Sequence, residues 1–322
     1  MKKSLAVIGG GQWGKNIIRN LSELGLLGAI CDPNGQALAQ MYDVPLLELE
    51  VLLQDPTLEG VAIAVPAEMH FALAQGALLA GKHVFVEKPV TLKSSETETL
   101  WALATSQNLI FMGGHLLRYH PAYLTLESWI LEGKLGDLLS LETVRNNFGR
   151  VCPGEKNVFW SLASHDISVI LGLMQAVPTD LWAQANAVYT SADQGVAMLA
   201  FPSGVQARLS ASWISPYKEQ KCIVIGTLGT LVLEETHHDT LRMFPHILTE
   251  TRIQKGIPFS VPFPQEEPLK AECLHFWNCI VTGSNPKTHG GEILGVLRVL
   301  ERIDACLETP LPKYKLPMRW EY

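Results

Sequence analysis

Residues 4–14 read SLAVIGGGQWG, an apolar run that ends in a glycine-rich turn. The run predicts a short buried strand, and apolar residues at helical spacing after it predict a helix over residues 12–24. Between these elements the glycines fit the pattern G-x-G-x-x-G, which is typical of a dinucleotide-binding loop. Gly9 permits a tight turn, Gly11 lets a pyrophosphate approach the backbone, and Gly14 lets the helix pack closely on the strand.

A second apolar run, LGAICD at residues 27–32, ends in Asp32, 18 residues after Gly14. A carboxylate at the end of the second strand accepts hydrogen bonds from the adenine ribose hydroxyls and repels a 2′-phosphate. The sequence therefore predicts NAD as the cofactor in preference to NADP. The alternative interpretation is that the glycines only form a turn and that Asp32 caps the next helix.

The first third of the chain continues this alternation of strands and helices. Further apolar runs predict strands at 60–65, 83–87 and 109–112. The segments between them predict helices at 36–42, 48–53, 69–80 and 97–106. Apolar strands separated by helices are typical of a parallel sheet that is covered on both faces. We therefore expect an α/β protein with a Rossmann domain, a doubly wound parallel sheet, over residues 1–120.

The pattern changes near residue 120. Helical spacing predicts helices at 121–132, 161–174, 267–282 and 291–307. A strand is predicted at 138–148, and from residue 181 to about 252 polar and apolar residues alternate with a period of two. Along 204–213, for example, the apolar residues all face one way. We expect residues 121–322 to form an α/β domain with a large, mainly antiparallel sheet that has one apolar face.

Composition restricts the classes of partner. The 322 residues suffice for two domains, and 47% hydrophobic with 18% charged residues indicates a globular protein. A net charge of −7 argues against nucleic acid as a partner. No run approaches the roughly 18 apolar residues of a membrane span, and the basic N-terminus lacks the apolar stretch of a signal peptide. We therefore expect a cytoplasmic protein that neither enters a membrane nor binds nucleic acid.

The residues that commonly ligate metals or form disulfides give no strong pattern. The six cysteines include no Cys-x-x-Cys pair, so we expect reduced thiols. His237, His238 and Asp239 are adjacent, but they have no third ligand at a suitable spacing and lie in a predicted turn. We expect a solvated turn there and no metal site.

A second group of motifs begins at the predicted strand near residue 85. Residues 81–89 read GKHVFVEKP, and GHLLRYHPA follows at 114–122 and GTLGTLVLEE at 226–235. With the glycine loop, these stretches resemble the glucose–fructose oxidoreductase/inositol dehydrogenase (Gfo/Idh/MocA) family over essentially the whole chain. The resemblance implies a nicotinamide-dependent oxidoreductase with the cofactor between the two domains and the substrate against the large sheet.

The resemblance also implies site residues in the N-terminal domain. Lys88 would be catalytic, close to the nicotinamide and the reacting hydroxyl, because a lysine there can donate or carry a proton. The Lys88–Pro89 peptide bond would be cis, which turns the lysine toward the cofactor. The cofactor-binding residues implied are Gly9, Gly11, Gln12, Trp13, Gly14, Asp32, Pro66, His70, Glu87 and Lys88.

The family's third motif places an aspartate and a histidine four residues apart on one helical face. Here WSLASHDI at 160–167 supplies His165 as the general base, but Ser161 stands where the aspartate is expected. Serine can hydrogen-bond a sugar hydroxyl but carries no charge. Asp166 follows directly, yet adjacent helix residues point about 100° apart, so it is not an obvious substitute.

Within the family, the stretches around Arg118 and His165 most resemble enzymes that oxidise nucleotide-linked amino sugars, such as UDP-N-acetylglucosamine 3-dehydrogenases. The resemblance implies a sugar or nucleotide-sugar substrate, in which a secondary alcohol exchanges a hydride with NAD. The substrate-binding residues implied are Arg118, Tyr119, Trp160 and Ser161. Arg118 can pair with a phosphate or carboxylate. For Arg118, Tyr119 and His120, ordinary packing between the domains is the alternative.

Two other functions and one assembly follow from the sequence. Ser161 favours a non-catalytic dinucleotide-binding regulatory protein of the same fold, whereas Lys88 and His165 argue against it. An NADPH-dependent reductase is a third possibility, which Asp32 argues against.

The sheet face opposite the apolar one mixes small and polar residues, so we expect a homodimer or homotetramer packed through it. A solvated face is the alternative.

Overall fold

A computed structural model describes residues 3–149, 156–236, 239–249 and 251–308. His237 and His238, which were predicted to lie in a solvated turn, fall outside these residues, as does Cys152. Within the described residues, the N-terminal unit contains a five-stranded parallel sheet of order β2-β1-β3-β4-β5. Its strands are β1 (Leu5–Ile8), β2 (Leu27–Cys31), β3 (Gly60–Ile63), β4 (His83–Glu87) and β5 (Phe111–Gly114).

Helices cover both faces of this sheet, as the alternating sequence predicts. They are α1 (Gly14–Glu23), α2 (Gln36–Tyr42), α3 (Leu49–Gln54), α4 (His70–Leu79) and α5 (Ser94–Ser106). β1 lies between β2 and β3, so the connections that leave β1 and β3 diverge and open a crevice at their carboxyl ends. Ligands of open parallel sheets bind at such a point. The glycine loop is therefore located where a dinucleotide binds.

The C-terminal unit begins with α6 (Pro121–Leu131), β6 (Leu138–Asn146) and α7 (Ser164–Met174). The strands that follow are β7 (Asp180–Asn186), β8 (Gln194–Ala200), β9 (Gln206–Ser212), β10 (Glu219–Gly226), β11 (Gly229–Glu234), β12 (Thr240–Thr249), β13 (Arg252–Lys255) and β14 (Phe259–Ser260). The last helices of the described residues are α8 (Pro268–Thr282) and α9 (Gly290–Leu307).

These strands form one large sheet. Among the described residues it has nine strands in the order β13-β12-β11-β10-β6-β9-β8-β7, with β14 paired to β12. The pairings are antiparallel except that β6 runs parallel to β9. The helical excursion between β6 and β7 allows this exception, because a parallel pair needs a long crossover connection. The expected fold, a Rossmann sheet followed by a mainly antiparallel sheet, is confirmed.

The large sheet has one buried face. In and around β9, Val205, Ala207, Leu209, Ala211 and Trp213 are each at most 4% exposed. The polar residues that alternate with them are mostly exposed or half-buried. The predicted alternation is therefore confirmed along this strand. The buried face packs against α6, α7 and α9, which leaves the opposite face of the sheet uncovered within the described chain.

Helix α8 returns to the N-terminal unit and packs against α1. Phe276 of α8 lies against Phe85 of β4 with ring centroids 5.9 Å apart, and burial of such a ring contributes about 2 kcal/mol. Glu267 accepts hydrogen bonds from Arg19 and Asn20 of α1. Helix α8 is therefore packed on the Rossmann unit, and α9 contacts both α5 and α7, so these two helices connect the two units.

The described part of the chain shows neither a helix suited to span a membrane nor a cluster of metal ligands. None of its helices is long and apolar enough to cross a membrane. It contains no group of three or more histidine, cysteine or acidic residues arranged to hold a metal ion. Its five cysteines are free thiols.

Candidate active site

A cleft of about 570 Å³ lies between the Rossmann unit and the large sheet. From the Rossmann side it is lined by the glycine loop and by the turns that follow β3, β4 and β5. From the other side it is lined by the start of α7 and by residues at the ends of β6, β10 and β11. Lys88, Ser161 and His165, which come from distant parts of the sequence, therefore meet in one site.

The glycine loop has the geometry that a pyrophosphate requires. Gly9 has a φ of 99°, a conformation that favours glycine. A Cβ on Gly14 would overlap the carbonyl oxygen of Gly9, so only glycine lets α1 start this close to the loop. A Cβ on Gly11 would meet nothing within 4 Å, which leaves open space beside the backbone. These features fit a nicotinamide dinucleotide whose phosphates rest on the N-terminus of α1.

Asp32 lies just beyond β2 and beside the same loop. Its Oδ2 accepts a hydrogen bond from the Gly10 amide at 2.6 Å, and its Oδ1 accepts one from the Asn34 amide at 2.7 Å. Helix α2 is capped by Gly35 rather than by Asp32. The carboxylate is thus fixed next to the glycine loop, and each oxygen keeps a further lone pair for a ribose hydroxyl.

Glu87 and Lys88 end β4 at the floor of the cleft. The Lys88–Pro89 peptide bond is cis, as predicted. Nζ of Lys88 donates a hydrogen bond to the carbonyl oxygen of Ser161 at 3.2 Å, across the cleft. Glu87 accepts hydrogen bonds from the Trp13 indole and from the Lys88 amide. Lys88 therefore links the Rossmann unit directly to the segment that carries the candidate base.

Glu87 is also part of a pair of buried acids. Burial raises the pKa of Glu87 to about 7, although its hydrogen bonds from Trp13 and Lys88 oppose this rise. Burial also raises the pKa of Glu272, on α8, and the nearby Glu87 adds to the effect. Neither carboxyl oxygen of Glu272 has a hydrogen-bond partner among the described residues. No motif pointed to Glu272, because it belongs to a helix 185 residues further along the chain than Glu87.

Pro66 and His70, which were also predicted to bind the cofactor, do not line the cleft itself. His70 is 1% exposed, and its ring nitrogens lie 2.9 Å from the Val65 carbonyl and 2.8 Å from the Pro89 carbonyl. It therefore ties together the turns that follow β3 and β4. Pro66 is exposed at the start of the turn after β3. Gln12 and Trp13, in contrast, line the cleft itself.

The candidate base lies just after a single turn of π-helix, Phe159–Ala163. Within residues 157–173, all of which are described, His165 alone is not buried. It lines the cleft together with Ser161. π-helical turns are rare and occur frequently at functional sites. Here the turn presents the main-chain oxygen of Ser161 to Lys88, so the position that lacks the family's carboxylate still contacts the lysine.

The structure does not bring Arg118 or Tyr119 to the cleft, which corrects the prediction that they bind substrate. Nη1 of Arg118 lies 2.9 Å from Glu292, and Nη2 lies 3.7 Å from Glu127. Tyr119 is 5% exposed, and its hydroxyl lies 3.3 Å from the hydroxyl of Thr288. Both side chains already have partners within the protein, on α6, on α9 and in the segment just before α9, which explains their position.

Trp160, which the resemblance places among the substrate-binding residues, does not line the cleft either, nor does His120. Trp160 is 4% exposed and its Nε1 donates to Asp304 of α9 at 2.8 Å, so it anchors the π-helical turn rather than lining the cleft. His120 caps α6 and lies 3.1 Å from Asp239. For these residues, packing between elements is the interpretation that the structure supports.

Four polar residues of the large sheet line the cleft and were missed: Arg145, Asn147, Gln220 and Glu235. Arg145 donates from Nε to Asp166 at 2.7 Å and from Nη2 to the other oxygen of Asp166 at 3.1 Å. Nη2 also lies 3.6 Å from Glu235. Burial raises the pKa of Asp166, and the Arg145 guanidinium counteracts the rise. The sequence did contain a signal for them. Arg145, Gln220 and Glu235 occupy positions at which the alternation along β6, β10 and β11 predicts an apolar, inward-facing residue.

Named relatives support the same fold. The UDP-N-acetylglucosamine 3-dehydrogenase of Acidithiobacillus ferrooxidans is 29% identical over 211 residues, which cover 64% of this chain and 66% of that protein. Its solved structure has a TM-score of 0.84 at 24% identity and covers 95% of this chain and 97% of the other. That similarity shows a shared fold.

Two dehydrogenases of Bacillus subtilis that resemble this chain differ in their cofactor, as their names state. The NAD-dependent scyllo-inositol 2-dehydrogenase is 26% identical over 252 residues, covering 73% of this chain and 71% of that protein. The NADP-dependent scyllo-inositol 2-dehydrogenase is 30% identical over 148 residues, covering 42% and 41%. Relatives of this chain thus use either dinucleotide.

Two sequence-family models match successive parts of the chain. An oxidoreductase family with an NAD-binding Rossmann fold matches residues 3–115. The GFO/IDH/MocA C-terminal domain matches residues 123–232. Both belong to one family, both follow the order seen in the structure, and together they span most of the chain. The chain therefore belongs to the Gfo/Idh/MocA family of NAD(P)-binding oxidoreductases.

Proposed function

We propose that this protein is an NAD-dependent dehydrogenase that oxidises a secondary alcohol of a sugar, with nucleotide-linked sugars as the preferred class. One observation carries the proposal: the glycine loop, Lys88 and His165 line a single cleft. Its substrate side is polar and belongs to the large sheet. The nucleotide-sugar class rests on the resemblance to the UDP-N-acetylglucosamine 3-dehydrogenase.

In the proposed reaction a bound nicotinamide dinucleotide supplies the hydride acceptor, and the protein handles the proton. His165 accepts the proton of the reacting hydroxyl, since an imidazole is a suitable base near neutral pH. The Lys88 ammonium donates a hydrogen bond to the same oxygen and stabilises the negative charge that develops on it. The Ser161 carbonyl orients that ammonium from the opposite side of the cleft.

NAD rather than NADP is the proposed cofactor. Asp32 is held beside the glycine loop by two amide hydrogen bonds, where a 2′-phosphate would face its negative charge. We further propose a cytoplasmic protein with a domain boundary at residues 120/121. We also propose that the protein forms a homodimer or homotetramer, which packs through the uncovered face of the large sheet.

The proposal is tested by mixing the purified protein with NAD and a panel of UDP-N-acetylglucosamine, scyllo-inositol, myo-inositol and glucose, and following NADH absorbance. We expect turnover with at least one member and the highest kcat/KM with the nucleotide sugar. The same panel is run with NADP. Turnover only with NADP, or a higher kcat/KM with glucose or an inositol than with the nucleotide sugar, would contradict the proposal.

A second candidate is a dinucleotide-binding regulatory protein without turnover, and it is favoured by the missing carboxylate at Ser161. The same panel separates the two functions when NADH binding is measured in parallel by calorimetry. Normal NADH binding without any product would favour the regulatory protein. Product formation that depends on His165 would exclude it.

A further inference from the structure

The inner face of the large sheet changes from apolar to polar along its strands. Under the helices it carries buried apolar residues, such as Leu141 of β6, Val224 of β10 and Leu233 of β11. Two residues beyond Leu233 on the same face, Glu235 lines the cleft. The polar end of the inner face therefore lies where the helical cover stops and the Rossmann unit begins.

The polar residues at this end form a row across three neighbouring strands. Gln220 of β10 lies directly opposite Arg145 of β6 in the antiparallel register. The amide of Glu235 donates to the carbonyl oxygen of Gln220 at 2.9 Å, so Glu235 is the next neighbour in the row. Asn147, two residues after Arg145, lines the same cleft. All four side chains thus face the space where the substrate ring would lie.

The charge that this row presents to a ligand depends on which groups Arg145 pairs with. The guanidinium engages Asp166 through two hydrogen bonds, in the geometry with which an arginine binds a carboxylate. The side chain of Arg145 is 9% exposed, and Glu235 lies against it at 3.6 Å. One guanidinium therefore faces two protein carboxyl groups. A carboxylate on a ligand would find Nε and Nη2 of Arg145 already paired with Asp166, and would meet Glu235 at close range.

Among the described residues that line the cleft, one other is a lysine or arginine. Lys88 belongs to the Rossmann wall, where its Nζ is bonded to the Ser161 carbonyl, close to the proposed reacting hydroxyl. On the sheet wall, Glu235 offers acceptor oxygens, whereas Gln220 and Asn147 offer both donors and acceptors. Such a set matches hydroxyl and amide groups.

We propose that Glu235 is a specificity-determining residue, which binds N–H or O–H donors of an uncharged sugar ring and excludes rings that carry a carboxylate. This inference rests on the proposed function and extends it, because it separates neutral sugars from uronic acids. Like charges that are brought together in a partly buried site disfavour binding. Hydrogen bonds to an ionised acceptor are stronger than those to a neutral one.

The test uses two ligands that differ only at C6: UDP-N-acetylglucosamine and the corresponding uronic acid, in which a carboxylate replaces the hydroxymethyl group. Their dissociation constants are measured by calorimetry on the protein saturated with NADH. We expect wild type to bind the neutral ligand at least about tenfold more tightly. In Glu235→Gln that ratio falls by about tenfold, because an amide replaces the carboxylate.

Glu234→Gln is the matched control. Glu234 ends β11 with its side chain on the opposite face of the sheet, so we expect the wild-type ratio. Equal affinities in wild type, or an unchanged ratio in Glu235→Gln, would overturn the inference while leaving the proposed function standing. Failure of both ligands to bind a protein that binds NADH normally would overturn the proposed substrate class and this inference together.

Discussion

Ser161 departs from the family's motif, which has an aspartate at this position, but it still contacts Lys88 in the candidate site. The side chain that family members use at this position is missing, but the main-chain oxygen of Ser161 accepts the hydrogen bond from Lys88. A carbonyl carries a partial rather than a full charge, so it orients the ammonium with less electrostatic stabilisation than a carboxylate would give. In the proposed reaction the proton of the substrate hydroxyl is then left to His165.

This division of roles predicts the effect of two substitutions. In the proposed reaction His165 takes the reacting proton and Lys88 stabilises the charge that develops on the oxygen, so Lys88→Met and His165→Ala should each lower turnover by about a hundredfold or more. NADH affinity should change less than about threefold in both variants, since neither residue belongs to the glycine loop. Steady-state kinetics and calorimetry on the best panel substrate check both statements. Full activity in either variant would remove that residue from the mechanism.

Asp32 predicts the choice of dinucleotide. Because its carboxylate is fixed by two amides, it cannot turn away from a 2′-phosphate without losing both hydrogen bonds. We expect NAD to bind at least about tenfold more tightly than NADP, which corresponds to about 1.4 kcal/mol. In Asp32→Ser the ratio should approach one. Calorimetric titration with both cofactors measures it, and a preference of wild type for NADP would refute the assignment.

Glu87 predicts how stability changes with pH. Its pKa is about 7 in the folded protein against an ordinary value of 4.5, so between these limits the folded state binds more protons than the unfolded state. Stability therefore falls as the pH rises through this window, by about 3 kcal/mol from this residue.

Glu87→Gln removes this dependence. Relative to wild type, the variant should gain about 3 kcal/mol in free energy of unfolding on going from about pH 5 to about pH 8. Urea denaturation at both values provides the measurement, with the exposed Glu68→Gln as the control. Parallel pH profiles for Glu87→Gln and wild type would show that Glu87 is not the group responsible.

The residues of the site were not equally predictable from the sequence. Lys88 and His165 belong to short motifs, and their positions at the cleft follow from local context. Arg118 and Tyr119 belong to a motif too, but their burial depends on partners such as Glu292, which lies 174 residues away. Local sequence carries no information about such a partner, and this is why their predicted role differs from their position.

At the scale of elements, α7 is held to the sheet by Arg145 and Asp166. These residues lie on β6 and on the first turn of α7, and both side chains are buried. The contact fixes the start of the helix directly beside His165. A buried pair of this kind contributes little net stability, but loss of one partner leaves the other without compensation.

Arg145→Met should therefore lower the free energy of unfolding by about 3–5 kcal/mol near neutral pH. The loss should be smaller at about pH 5, because Asp166 can then take up a proton at lower cost. The double variant Arg145→Met/Asp166→Leu should recover at least half of the loss. Urea denaturation of the three proteins checks this, and a single variant within about 1 kcal/mol of wild type would contradict it.

Most element boundaries follow from periodicity, and the exceptions have physical reasons. The predicted helix at 36–42 matches α2, and the one at 121–132 ends one residue beyond α6. The helix predicted at 161–174 begins instead as a π-helical turn at Phe159–Ala163. A π-turn and an α-turn bury the same kinds of residue, and only the hydrogen-bond spacing differs, so the hydrophobic pattern cannot separate them.

At the scale of the whole molecule, the uncovered face of the large sheet has a defined pattern. The strand registers align seven residues in one row across it: Trp182, Met198, Arg208, Glu142, Ile223, Val232 and Arg242. The ion pair between Arg208 and Glu142 lies in the middle of the row, with apolar side chains on both sides of it. Such a mixed, flat surface can be complementary to its own two-fold copy.

We expect the protein to assemble through this face of the large sheet. Light scattering over a dilution series should give a dimer or tetramer of the 35.5-kDa chain at micromolar concentration. Ile223→Glu places a charge near the centre of the row and should weaken association by about a hundredfold or more, because that charge would be buried without a dedicated partner. Val281→Glu, on an exposed position of α8, is the matched control and should not change the mass. A monomeric wild type would refute the assembly, whereas an oligomer that survives Ile223→Glu would place its contacts elsewhere on the surface.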